Sequence, residues 1–143
     1  MIISIGSDHA GYMLRAALRD YLQKKGHQVL DRGASSSSEP YSYVQAGRMV
    51  AKDVSEGAAE KGIAICGTGI GISISCNKRL GIRCALCLNE FMAKMARRHN
   101  DANILAMGAR VVGVSLAESI TDSFLSATFD GGRHKERVDD IES

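Results

Sequence analysis

The sequence predicts an α/β protein built on five parallel strands with helices between them. Short apolar runs bounded by glycine or polar turns recur along its 143 residues, stretches of helical periodicity separate those runs, and no repeat or long linker divides the chain. The first strand is Ile2 to Gly6, in an apolar run cut off by Asp8 and His9. Tyr12 to Lys25 follows as a helix, with Leu14, Ala17, Leu18, Tyr21 and Leu22 at helical spacing and a stop at Gly26, a residue suited to a left-handed cap. Gln28 to Asp31 is the second strand. Ser35 to Tyr43 is polar, holds the only proline, and reads as a loop without internal structure. Further helices are expected from about Tyr43 to Gly57, Ile70 to Lys78, Asn89 to Arg98 and Val114 to Ser126, and further strands at Gly62 to Cys66, Ile82 to Cys87 and Ile104 to Ala106. A short helical tail, 133–143, closes what is expected to be a single domain spanning 1–143.

Composition limits the function classes. A chain of this length buries roughly 68–70% of the surface its unfolded form exposes, so a core forms without disulfide or metal staples. Eighteen Lys and Arg against sixteen Asp and Glu give a net charge of +2, with basic residues spread out apart from Lys24-Lys25, Lys78-Arg79, Arg97-Arg98 and the tail from Arg133 to Arg137. That distribution does not indicate a nucleic-acid surface. No apolar run is long enough for a membrane span or a signal-peptide core, and a cytoplasmic protein is expected. The four cysteines are then expected as reduced thiols. Cys84-Ala-Leu-Cys87 has zinc-site spacing, but it lies in a strand, where positions three apart point to opposite faces and cannot grip one ion. No metal and no cofactor are expected.

In a parallel α/β sheet, ligands bind outside the carboxyl ends of the strands, near the point where strand order reverses. The first strand ends in Gly6-Ser-Asp-His-Ala-Gly11 and the third in Cys66-Gly-Thr-Gly-Ile-Gly71; the fifth follows Arg98-His-Asn-Asp-Ala-Asn103 and runs into Met107-Gly-Ala-Arg110. If strands one and three are neighbours, Asp8, His9 and Cys66 face one crevice. Gly67, Gly69 and Gly71 let backbone amides approach an anion, although a tight strand-to-helix turn would use the same glycines. Cys66 stands at a helix amino terminus, a setting that lowers a thiol's pKa and makes it a competent base or nucleophile. Arg133 and Arg137 are four apart on one helical face and suit a phosphate dianion, or else belong to a solvated basic tail. His9 and His99, at expected loop positions beside Asp8 and Asn100, are candidate proton shuttles.

With these blocks in order, Gly6 to Gly11, Ile65 to Ser73 with Asn77-Lys78, Gly81-Ile-Arg83, Arg98 to Asn103, Met107 to Gly113 and Gly131 to Arg137, the chain resembles the ribose-5-phosphate isomerase B family. The resemblance runs nearly end to end. It implies a three-layer αβα sandwich with a doubly wound, Rossmann-like sheet, and metal-free aldose–ketose isomerisation of a sugar phosphate through a cis-enediolate. Cys66 matches the family's catalytic thiol, Thr68 and His99 would assist ring opening, and the amides of Gly67, Gly69 and Gly71 would hold the oxyanion. Asp8 and Asn100 would bind sugar hydroxyls; His9, Arg110, Arg133 and Arg137 would hold the phosphate; Tyr43 and Ser73 would join the substrate-binding set. The resemblance further implies a homodimer, or a dimer of dimers, with the block of His99, Asn100 and Arg110 supplied by the partner chain.

Where the family carries Asp-Tyr-Pro after the second strand, this chain reads Glu39-Pro-Tyr-Ser-Tyr-Val44, with Tyr43 standing for the tyrosine. That loop lines the sugar end of the family's pocket. Ribose 5-phosphate is the expected substrate; allose 6-phosphate, galactose 6-phosphate and a tetrose 4-phosphate are alternatives with the same chemistry. A binding module that uses the glycine loop only to hold an anion or nucleotide is the alternative of a different class.

Overall fold

The computed structural model describes residues 1–143. Its element order is β1 (Ile2–Ser7), α1 (Tyr12–Lys24), β2 (Gln28–Gly33), α2 (Tyr43–Ser55), β3 (Lys61–Cys66), α3 (Ile70–Asn77), β4 (Cys84–Leu86), α4 (Glu90–Asn100), β5 (Ile104–Gly108), α5 (Val114–Ser126) and α6 (Arg133–Glu142). All strands are parallel, in the spatial order β2-β1-β3-β5-β4.

Helices cover both faces. On one side Leu14, Leu18 and Leu22 of α1, Ala93 and Ala96 of α4, and Ala117, Ile120 and Phe124 of α5 pack on Ile3, Ile5, Ile63 and Ile65. On the other, Ala46, Val50 and Ala51 of α2 and Ile72 and Cys76 of α3 meet Ala64, Ile104 and Ala106. Successive strand residues feed opposite clusters, as the pleat requires. The result is the three-layer, doubly wound sandwich that the resemblance implies, and no helix is long and apolar enough to cross a membrane.

The chain winds outward from β1 to β2, returns to β3 and then winds the other way, so strand order reverses between β1 and β3. One detail of the second half matters for function. β5 is inserted between β3 and β4, with Cys66 opposite Gly108 and Gly62 opposite Ile104. The segment that leaves β5, through Ala109 and Arg110, therefore lies against the segment that leaves β3. The segment that enters β5, from Arg97 to Asn103, lies at the opposite, amino end of the sheet.

This corrects two expectations. His99 is not in a loop but in the last turn of α4, and Asn100 closes that helix. Neither stands at a carboxyl strand end, because residues that precede a parallel strand lie at its amino end. Strand β4 is shorter than expected: the side chain of Asn77 takes both the N–H and the carbonyl of Cys84 (2.7 and 2.9 Å), and Asn103 takes the N–H of Arg83 (2.9 Å). Ahead of it the Ile82 amide turns back to the Arg79 carbonyl (3.2 Å), and the Arg83 amide is taken by a side chain, so the regular ladder begins only at Cys84.

Candidate active site

Cys66 ends β3 and is 4% exposed. The next three residues turn sharply into α3, and Gly69, the N-cap residue, has φ +81, in the left-handed region. This turn directs the Gly69 amide back to Sγ of Cys66, 3.1 Å away. The Ile70 amide donates to Oγ1 of Thr68 (3.2 Å), while the amides of Gly67, Thr68, Gly71 and Ile72 find no partner in the chain. Four unpaired N–H groups at a helix amino terminus beside a thiol make an anion cradle. Ser73 spends its hydroxyl on the Ile70 carbonyl (2.7 Å) and acts by holding the first turn together.

Around this turn the fold brings together most of the residues singled out above. Asp8 is buried and accepts from the Gly11 amide (3.0 Å), which fixes its carboxylate at the end of β1. Nδ1 of His9 lies 3.0 Å from the Tyr41 amide and 3.3 Å from the Tyr41 carbonyl, so the Tyr41 backbone fixes the ring and leaves Nε2 free. Tyr43 opens α2 and lies against Gly71: a Cβ at Gly71 would come within 2.8 Å of its ring. Arg110 reaches across from the β5 exit, where a Cβ at Gly67 would lie 3.3 Å from its Nη1. The Arg110 amide donates to the Gly67 carbonyl (2.9 Å) and the Ala109 amide to that of Cys66 (2.8 Å), locking the two strand exits together. The Arg110 side chain makes no ion pair and is exposed. The resemblance groups Arg110 with His99 and Asn100; the structure separates it from them and seats it beside Gly67 of its own chain.

His99, Asn100, Arg133 and Arg137 form a second group. Strand β5 alone, four steps of about 3.3 Å each, sets the amino end of the sheet about 13 Å from the carboxyl end. Helix α6 packs on α4, and the rings of His99 and His134 stack at 4.2 Å between centroids, inclined by 8°. Half-burial and the facing His99 lower the pKa of His134. Asp130 stands beside both rings and pairs with Arg98 at 3.0 Å, which lowers its own pKa. His99, Asp130 and His134 offer metal-ligating atoms within 4.8 Å of one another, a cluster that sequence reasoning missed. Near-parallel stacked rings send their lone pairs into separate planes, so the two imidazoles cannot share an ion without rotating apart. A concavity of about 480 Å³ lies at this amino end and is lined by Arg83, Asn100 and Ile141 among others, but not by Cys66.

The other thiols differ from Cys66 in setting. Cys84 packs with the α2–α3 layer and Cys87 with the α1–α4–α5 layer, on opposite faces of the sheet. A hydrogen bond with Cys76, together with burial, holds the Cys84 thiol well above its ordinary range, and burial pushes Cys87 up to about 11. Iodoacetamide at neutral pH is expected to label Cys66 first, read by peptide mass spectrometry against time; faster labelling of Cys84 or Cys87 would overturn that ordering.

Comparison with known proteins matches residues 3–141 to the ribose/galactose isomerase family. The chain is 45% identical to ribose-5-phosphate isomerase B of Escherichia coli over 97% of its own length and 93% of that protein's. It is 40% identical to D-erythrulose-4-phosphate isomerase of Pectobacterium atrosepticum, over 97% and 91%. Among solved structures it superposes on ribose-5-phosphate isomerase B of Clostridium thermocellum with a TM-score of 0.98 and 52% identity, covering 99% of this chain and 95% of that one.

Proposed function

The chain belongs to the ribose/galactose isomerase family, an aldose–ketose isomerase of sugar phosphates, and we propose that it interconverts ribose 5-phosphate and ribulose 5-phosphate with Cys66 as the base. The observation that supports this reading best is the pairing of one thiol with a cradle of unpaired amides at the reversal point of the sheet. The reaction moves one proton from C2 to C1 and another from the C2 hydroxyl to O1. Cys66 as thiolate, held by the Gly69 amide, takes the C2 proton and returns it to C1, while the unpaired amides of Gly67 and Gly71 stabilise the charge that builds on the enediolate oxygens. Asp8 holds sugar hydroxyls, with Tyr43 over the glycine turn, and Nε2 of His9 and the unpaired Arg110 are set to hold the phosphate.

Ring opening needs a proton donor beside the sugar, and in the cradle half of a single chain His9 is assigned to the phosphate, which leaves Thr68 at the glycine turn. His99, Asn100, Arg133 and Arg137 are of the right chemistry but lie at the far end of their own sheet, so we propose that a second copy supplies them in a homodimer. An exposed apolar stripe on α3, Ile70 and Ile74, leads to Leu80 just past its end and joins the two ends of the molecule. Two copies packed antiparallel along it would bring each cradle to the partner's histidine. Subunit complementation tests this. Cys66→Ala and His99→Asn are each expected to be inactive alone, whereas co-expressed mixtures should recover about one quarter of wild-type activity, since half the dimers are mixed and each has one intact site. Silence in the mixture would overturn the shared site.

Substrate identity is tested by turnover on ribose 5-phosphate, allose 6-phosphate, galactose 6-phosphate and erythrose 4-phosphate in EDTA, with Cys66→Ala alongside. The expected result is preference for ribose 5-phosphate, lost with the thiol. Preference for the tetrose phosphate would put the altered loop, Glu39 to Val44, in charge of a specificity closer to that of the Pectobacterium relative.

A further inference from the structure

We propose that Arg83 is a positioning residue that sets His99 and Asn100 by clamping the end of α4. The proposal rests on the reading that these two residues act at the Cys66 site of a partner chain.

Helix α4 ends without glycine. Its C-cap is Asp101, with φ +46, the only non-glycine residue of the chain in the left-handed region. Aspartate enters that region more readily than most residues with a side chain, and here its surroundings hold it there. Two guanidinium groups do so. Arg97 Nη1 donates to the Asp101 carboxylate (2.8 Å) and the Ala102 carbonyl (2.7 Å). Arg83 Nε donates to the carbonyls of Asn100 and Asp101 (both 3.1 Å), and its Nη2 to the carbonyl and carboxylate of Asp101 (2.8 and 3.3 Å).

The two arginines are not equivalent. Arg97 secures the turn that follows α4, whereas Arg83 binds the carbonyl of Asn100 itself. Its remaining nitrogen, Nη1, pairs with Glu142 of α6, the helix that carries Arg133, Arg137 and the ring stacked on His99. One planar fork thus ties together both elements of the His99 half. Arg83 is itself held: its amide donates to Asn103 Oδ1 (2.9 Å) and its carbonyl accepts from the Asn103 amide (3.0 Å).

Complementation separates positioning from general stability. Arg83→Ala is expected to lose about 100-fold in kcat/KM, the scale of a 1 Å misplacement. Co-expressed with Cys66→Ala, it should recover about one quarter of wild-type activity, because the mixed dimer pairs its sound Cys66 with an undamaged His99 half. Co-expressed with His99→Asn, it should recover nothing. Wild-type turnover of the variant, rescue by His99→Asn, or rescue by neither partner overturns the proposal. Arg83→Lys keeps the charge and loses the fork; if the alanine variant does not fold, the lysine variant decides by the same one-sided pattern. The mixture of Cys66→Ala with His99→Asn, run in parallel, reports on the shared site alone, so its failure is told apart from that of the proposal.

Discussion

Cys66→Ala will remove turnover while leaving the sugar phosphate bound within a small factor of its wild-type affinity. Acid–base transfer by a positioned side chain is worth about 10²–10⁴-fold. Here one group is proposed both to remove the carbon proton and to return it, which puts the loss at the upper end of that range. The thiol acts in the transition state, so ground-state affinity, set by phosphate and hydroxyl contacts, should not follow kcat down. The structural cost is small. The substitution removes one atom from a buried position and leaves the Gly69 amide without its acceptor, which costs about 1–2 kcal/mol. Cys66→Ser separates packing from chemistry: its hydroxyl still accepts from Gly69, yet is far too weak an acid to ionise. Both variants are to be assayed for kcat by ribulose formation and for Kd by calorimetry. Turnover within tenfold of wild type in either one would remove Cys66 as the base.

Gly69→Ala has the next largest effect, because two costs coincide at one residue. The left-handed φ costs a residue with a side chain about 1–2 kcal/mol. The added Cβ would also lie 2.6 Å from Cδ1 of Leu86 and 2.8 Å from the carbonyl carbon of Met107 in β5, and backbone in the middle of a sheet cannot yield. Overpacking of this kind adds about 1–3 kcal/mol. Together they give about 3 kcal/mol, or roughly 10 °C in Tm. Relief requires the turn to move, which draws the Gly69 amide off Sγ and disperses the cradle, so kcat is expected to fall about 100-fold as well. Gly57→Ala is the control: its φ is +80, but nothing lies within 4 Å of the added Cβ. It should show only the conformational cost and full activity. Equal losses of Tm in the two variants would show that the close approach to β5 does not constrain the turn.

Much of this was legible in the residues. The helix ending before Gly26 and the strand running into Cys66 follow from periodicity and turn chemistry that act within a few residues, and the structure reproduces them. What escaped were the features decided by partners distant in sequence. Helix α4 continues two residues past Arg98 because Arg83 and Arg97 stabilise a left-handed aspartate, and no glycine marks the place. The serine-rich loop is not featureless: Ser36 Oγ accepts from the Glu39 amide (3.1 Å), and the Tyr41 amide reaches back to His9. Strand order was the costliest gap. Five parallel strands can be read from apolar runs, but the insertion of β5 between β3 and β4 cannot. That insertion brings Arg110 beside Gly67, whereas His99 lies at the other end of the molecule because it precedes a parallel strand. The stacked ring of His134 belongs to the same long-range contact between α4 and α6.

Placing the two groups at opposite ends of one sheet has a consequence for how such an enzyme responds to its own abundance. With the site assembled from two chains as proposed, the unassociated chain is an inactive precursor, and active sites form in a bimolecular step. Well below the association constant's midpoint, total rate rises with the square of chain concentration, so a twofold change in synthesis gives about a fourfold change in flux. Any ligand that touches both chains at once also binds the pair better than the separated chains, and by linkage it drives their association. The substrate would in that case promote the assembly of the catalyst that consumes it.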